Sequence, residues 1–227
     1  MTIVSIKTEA DGETKKIELS DGSFFSFKLC YLPTVFIEES LHTPAWGEGR
    51  EISEQEEEGF RFACACLRAE KIALRLIAHA EQNTFGLSRK LERRGFDSSC
   101  VKQVLYRLEE LHILDDRRYV KLWLEARLSR RADSPRRLFS SLRVRGIDRD
   151  EAESGLNAAL TPDAEWPLLL RYVKKLEKSK RFKKAAHFSD DGFANDARSL
   201  KFHLKSEGFS PQTVQRFFED EDLQSVL

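Results

Sequence analysis

Three times the chain reads leucine, three variable residues, glycine, an apolar residue and then a helix-capping residue. The copies are Leu91-Glu92-Arg93-Arg94-Gly95-Phe96-Asp97, Leu142-Arg143-Val144-Arg145-Gly146-Ile147-Asp148 and Leu204-Lys205-Ser206-Glu207-Gly208-Phe209-Ser210. No other feature constrains the fold so strongly. The leucine is the last core-facing position of a helix, and glycine four residues on supplies the left-handed backbone that closes the C-terminus. The Phe or Ile after it packs back on the last turn, and Asp or Ser caps the next helix. Pro211, directly after Ser210, suits a first helical position.

Apolar residues at helical spacing place two helices before each glycine and one after it. Leu74, Leu76 and Ile77, then Leu87 and Leu91, then Val101, Val104, Leu105 and Leu108 mark the first set. Tyr119, Trp123 and Leu124, then Leu138, Phe139 and Leu142, then a helix opened by Asp148 mark the second. Trp166, Leu169, Tyr172 and Val173, then Ala197, Leu200 and Leu204, then Val214, Phe217 and Phe218 mark the third. The pattern predicts a mainly α protein, an elongated array of three tandem three-helix modules at 62–114, 115–160 and 161–220. Such repeats stack on their neighbours, and the array would be roughly 60–70 Å long at 1.5 Å per helical residue. Residues 1–37 instead alternate with period two around Asp11-Gly12 and Asp21-Gly22, the signature of a small antiparallel β-meander. Residues 38–61 read as an acidic linker and the start of the helical region, where Ser53 and Glu56 have capping-box spacing. An acidic tail occupies 221–227.

Of the 227 residues, 41% are hydrophobic and 33% charged, enough for a core but rich in solvated helix face. No run reaches the ~18 apolar residues of a membrane span, and the first residues lack a signal-peptide pattern. The expectation is a cytoplasmic monomer without membrane contact. Cys30, Cys64, Cys66 and Cys100 are too sparse for a disulfide framework. Cys64 and Cys66 diverge on a helix, so no metal is predicted. No phosphate-binding glycine loop, dinucleotide fingerprint, zinc motif or catalytic triad spacing occurs, so neither a cofactor nor an enzymatic activity is expected. Asp115-Asp116 reads as a helix N-cap, the second acid complementing the dipole.

The net charge is zero but unevenly spread. Residues 1–60 carry 5 basic and 13 acidic side chains, whereas residues 61–160 carry 21 and 14. Basic residues recur at equivalent places: Arg89, Lys90, Arg93 and Arg94 in the first module; Arg127, Arg130, Arg131, Arg136, Arg137, Arg143 and Arg145 in the second; Lys174, Lys175, Lys178, Arg181, Lys183 and Lys184 in the third. Apolar residues claim one helix face and push these to the other. One reading is a basic stripe for phosphate backbone or an acidic protein surface. The other is a solvated face with internal ion pairs.

The run Leu111 to Val120, with its Asp115-Asp116-Arg117-Arg118-Tyr119 centre, followed by Pro135-Arg136-Arg137-Leu138 through Leu142-Arg143-Val144-Arg145-Gly146-Ile147, resembles the RecX family of bacterial RecA modulators. The segments Leu91–Phe96 and Leu204–Phe209 resemble its flanking modules, so the likeness spans about 72–220. It departs at Asp133-Ser134-Pro135, where the family commonly carries glycine ahead of the arginine helix. The resemblance implies a non-enzymatic protein that binds the groove of the RecA–single-stranded DNA filament. It implies inhibition of ATPase, strand exchange and co-protease activity, with contacts chiefly from Arg127, Arg130, Arg136, Arg137, Arg143 and Arg145. A nonspecific DNA-binding helical module acting without RecA is the alternative.

Overall fold

The structure is a computed structural model, and it describes residues 1–32, 47–178 and 192–220. The end of the expected meander and the first part of the linker (33–46), the basic-loop residues Arg181, Lys183 and Lys184, and the acidic tail 221–227 lie outside the described residues. Strands β1 (Ile3–Thr8), β2 (Thr14–Leu19) and β3 (Phe24–Lys28) come first. Helices α1 (Glu54–His79), α2 (Thr84–Glu92) and α3 (Ser98–Glu110) follow. Then come α4 (Asp116–Arg130), α5 (Pro135–Val144), α6 (Arg149–Ala159), α7 (Pro162–Glu177), α8 (Gly192–Ser206) and α9 (Pro211–Glu219). The protein is mainly helical, with an antiparallel sheet in the order β1-β2-β3. The chain forms two compact units, Met1–Asp115 and Asp116–Leu227.

In the first unit, Asp11 closes the β1–β2 hairpin by accepting from the Thr14 N–H at 2.8 Å, and Asp21 accepts from the Ser23 N–H at 2.9 Å. A sheet this small is marginal in water. It gains stability by giving Ile3, Ile17, Leu19 and Phe27 to the same core as Phe60, Ala63 and Cys66 of α1 and Val101, Val104 and Leu108 of α3. The Phe27 and Phe60 rings lie 5.0 Å apart, and burying each contributes about 1.5–3 kcal/mol. Glu70, buried on α1, adds an ionic fastening: it meets Lys28 of β3 at 3.0 Å and Arg107 of α3 at 3.6 Å. The capping box forms as the spacing predicts, with Ser53 Oγ accepting from the Glu56 N–H at 3.2 Å and Glu56 Oε2 accepting from the Ser53 N–H at 2.9 Å. α1 therefore begins eight residues ahead of the first repeat's expected start and runs unbroken through residue 62.

All three glycine motifs close as their sequences require. Gly95, Gly146 and Gly208 have φ of 85°, 82° and 88°. The N–H of the next residue reaches back to the motif leucine each time: Phe96 to Leu91 O, Ile147 to Leu142 O and Phe209 to Leu204 O, at 3.4, 3.2 and 3.2 Å. Asp97, Asp148 and Ser210 then accept from backbone N–H groups of the following helix. A fourth closure of the same kind ends α3, where Ile113 N–H reaches Leu108 O at 3.0 Å. There the left-handed residue is His112, φ 54°, so no glycine announces it.

In the second unit, repeats two and three share one core. Val120, Leu124, Leu138, Leu142 and Ile147 pack with Leu168, Leu169, Leu200, Leu204, Phe209, Val214 and Phe217. The closure around Gly208 sits against the start of α5: Arg136 N–H donates to Glu207 O at 2.9 Å, and Ser134 Oγ donates to the Glu207 carboxylate. Buried Glu165 of α7 receives Ser210 N–H at 2.8 Å and the hydroxyls of Ser210 and Thr213 at 2.5 Å each, which fixes the start of α9.

α4 and α6 pack tightly at Gly155, where an added Cβ would stand 2.4 Å from Val120 Cγ1. Helix propensity alone makes Gly155→Ala stabilising by about 1 kcal/mol. The rigid, buried Val120 cannot turn aside, and overpacking of this kind costs about 1–3 kcal/mol. Chemical denaturation is expected to show Gly155→Ala as destabilising overall, with most of the loss recovered when Val120→Ala is added.

Candidate functional site

The acid among the second repeat's arginines organises the site. Asp133 is the single acidic residue between Glu125 and Asp148. It lies in the turn between α4 and α5, only 4% exposed. Arg127 Nε meets its Oδ2 at 2.9 Å, Arg137 Nε its Oδ1 at 3.4 Å, and Lys175 Nζ the same Oδ1 at 3.8 Å. Three helices, α4, α5 and α7, thus each send one cation to one carboxylate.

The end of α4 explains why these cations gather. A helix leaves its last carbonyls without backbone partners, and the negative end of its dipole attracts cations. α4 has no glycine closure. Arg171 of α7 donates instead to Leu128 O at 2.6 Å and Ser129 O at 3.3 Å, and Lys175 donates to Ala132 O at 3.0 Å. Basic residues of the second and third repeats therefore meet within one folded unit. Trp123 of α4 flanks the group, with the guanidinium carbons of Arg127 and Arg145 over its ring at 5.4 and 4.8 Å.

The remaining predicted basic residues divide by partner. Arg143 donates to Ile147 O at 2.7 Å and Arg145 to Ser141 O at 2.8 Å, so both tie the α5 closure. Arg130, Arg131, Arg136, Lys174 and Lys178 are exposed, and none of their side chains forms an ion pair among the described residues. In the first unit, Arg89 lies over the Phe85 ring at 5.7 Å, Lys90 donates to Gln82 Oε1 at 2.5 Å and Arg94 to Lys90 O at 2.7 Å, while Arg93 is exposed. The Asp133 group itself is built wholly from the second unit. Asp116 opens α4, with Asp115 directly ahead of it.

A groove of about 900 Å³ runs between α4 and α6, lined among others by Arg117, Lys121, Glu125, Asp150, Glu151 and Gly155. Its walls carry both signs of charge, unlike the Asp133 cluster. No group of three metal-ligating side chains occurs among the described residues. Cys66 is buried in the first core and Cys64 half-buried beside it. No helix among the described residues is long and apolar enough to cross a membrane.

Sequence reasoning found most of the cations and missed the roles of Asp133, Arg171 and Trp123. Asp133 carried a visible signal, since a lone acid inside a strongly basic run must either be solvated or collect its neighbours. Arg171 gave no such signal: its role depends on α7 crossing the end of α4. Trp123 appeared only as a core marker.

These observations define a class: a mainly helical protein with glycine-closed helix ends, a small N-terminal sheet and a cation cluster gathered on one buried carboxylate. Comparison with known proteins narrows it. Regulatory protein RecX of Treponema pallidum (strain Nichols) is 33% identical over 155 residues, covering 68% of this chain and 86% of the relative. Regulatory protein RecX of Caldanaerobacter subterraneus subsp. tengcongensis is 21% identical over 169 residues, covering 74% of this chain and 78% of its own. A crystal structure of regulatory protein RecX shares the fold, with a TM-score of 0.67 at 18% identity over 96% of this chain and 99% of that one. RecX from Lactobacillus salivarius gives 0.55 at 18% identity over 70% and 97%. No family model matches the chain. The chain belongs to the RecX family of regulatory proteins.

The ion-pair geometry separates two arginines that look alike in sequence. Removing Arg127 leaves a buried carboxylate short of its nearest cation, so Arg127→Ala is expected to lower unfolding free energy by about 1–3 kcal/mol. Arg131→Ala, at an exposed side chain without an ion pair among the described residues, should fall within about 0.5 kcal/mol of wild type. Urea titrations of the two variants provide the comparison.

Proposed function

We propose that this protein is a regulator of RecA that binds the RecA–single-stranded DNA filament through the cationic surface of its second unit. The bound protein slows filament growth and so lowers ATP hydrolysis, strand exchange and co-protease activity. One observation carries this reading: cations from α4, α5 and α7 converge at one place and outnumber the carboxylate that holds them. Membership in the RecX family supports RecA as the partner. The action is steric and electrostatic, with no bond made or broken, and the protein works as a cytoplasmic monomer without a cofactor.

A positive patch on a helical scaffold suits a polyanion, because each phosphate neutralised releases a condensed counterion. A RecA filament offers both a phosphate backbone and protein surface, so salt weakens only part of the interaction. Arg130, Arg131, Arg136, Lys174 and Lys178, together with the Asp133-held Arg127, Arg137 and Lys175, are the side chains available for the partner, while Arg143 and Arg145 hold the scaffold. In the second reading, the same cluster binds bare DNA and RecA is not involved.

Added to RecA on single-stranded DNA, the purified full chain should suppress ATP hydrolysis at a small fraction of the RecA concentration. Unchanged hydrolysis at equimolar protein would contradict the proposal. Binding to bare DNA as tight as to the filament, with a steep salt dependence, would favour the second reading.

A further inference from the structure

Three cations on one carboxylate are more than neutrality requires, and the atoms used in the contacts are informative. Arg127 and Arg137 both engage Asp133 through Nε. Neither guanidinium makes a hydrogen bond through its Nη groups among the described residues, and the Arg137 and Lys175 side chains are 65% and 54% exposed. An arginine held by Nε keeps its paired Nη donors for a second anion, and a guanidinium edge matches phosphate oxygens two at a time. All three cations touch one carboxylate. At 2.9, 3.4 and 3.8 Å from its oxygens, they are gathered closely enough for the Nη donors and the ammonium to converge on one phosphate group.

We propose that Asp133 is the positioning residue of a phosphodiester-binding site, in which Arg127, Arg137 and Lys175 receive one backbone phosphate of a single-stranded polynucleotide. This rests on the polyanion reading of the second unit and gives it a defined locus. The neighbouring Trp123 favours a polynucleotide over an acidic peptide. Arg127 and Arg145 lie over the Trp123 ring, and guanidinium planes stacked on an aromatic give a base a stacking surface beside a phosphate site; Arg127 belongs to both the ring contact and the phosphate site. Arg130, Arg131 and Lys174 are exposed on or beside the same helices and supply further cations for neighbouring phosphates.

The role of Asp133 separates two physical models. As a mere countercharge it would weaken binding of an anion, and its neutralisation would strengthen it. As the post that orients two guanidinium edges it would strengthen binding although it carries the wrong sign. The test is fluorescence anisotropy of the full chain with fluorescein-labelled oligothymidylate over a salt series. Asp133→Asn should weaken binding by about five- to tenfold, with the slope of log affinity against log salt unchanged, because the cations remain. Tighter binding with a steeper slope overturns the proposal. Arg137→Lys, at a side chain 65% exposed, should cost about three- to tenfold although the charge is kept; wild-type affinity there also overturns it.

Unlabelled oligothymidylate should displace the probe at phosphate concentrations where inorganic phosphate does not. Equal displacement by inorganic phosphate removes the polynucleotide assignment. A wild-type chain that suppresses RecA ATP hydrolysis yet binds no oligothymidylate refutes this site and assigns the cluster to a protein surface. A chain that binds oligothymidylate in the Asp133-dependent manner yet leaves RecA unaffected refutes the regulator reading and leaves the site standing.

Discussion

The end of α4 has carbonyls that its own backbone cannot satisfy, and the second unit is arranged around that need. Four other helices, α2, α3, α5 and α8, turn back through a left-handed residue and use local N–H groups. α4 uses a side chain from a helix far along the sequence: Arg171 donates to Leu128 O and Ser129 O, and Lys175 beside it donates to Ala132 O in the turn that follows. Cations crowded at one helix end would repel each other without an anion among them. Asp133, buried in the following turn, supplies it and ties Arg127 and Arg137 to the same point. The closure of one helix, the joining of two repeats and the gathering of positive charge are thus a single arrangement.

The fold was legible where local chemistry decides geometry. Leucine-to-glycine spacing located three helix ends, and the next residue to accept a backbone N–H was visible as Asp97, Asp148 or Ser210. Asp11 and Asp21 marked the hairpins, and Ser53 with Glu56 marked the start of α1. Where tertiary contact decides, the sequence was silent. His112 takes the left-handed position that glycine takes elsewhere, and nothing in its neighbours requires that. Repeats two and three look separate in sequence, yet the Gly208 closure sits on the first turn of α5 and the two repeats bury one core.

The basic residues show the same division. Counting them gave a stripe, with equal weight to every arginine. The structure sorts them by work. Arg143 and Arg145 satisfy carbonyls at the α5 closure, Arg171 satisfies those of α4, and Arg127 holds a buried carboxylate while covering Trp123. What a partner can use is a smaller set, the exposed cations and the Asp133-held Arg127, Arg137 and Lys175, concentrated around the α4–α5 turn and α7. Most of the arginines that the RecX resemblance singles out fall in or beside that same turn.

Hydrogen–deuterium exchange of the full chain, alone and with RecA assembled on single-stranded DNA, tests the central claim most directly. The account predicts that the filament slows exchange in the last turn of α4, the Arg131–Ser134 turn and the start of α5, with α7 protected alongside. Protection confined to Met1–Asp115, with the α4–α5 turn exchanging as in the isolated protein, would contradict it.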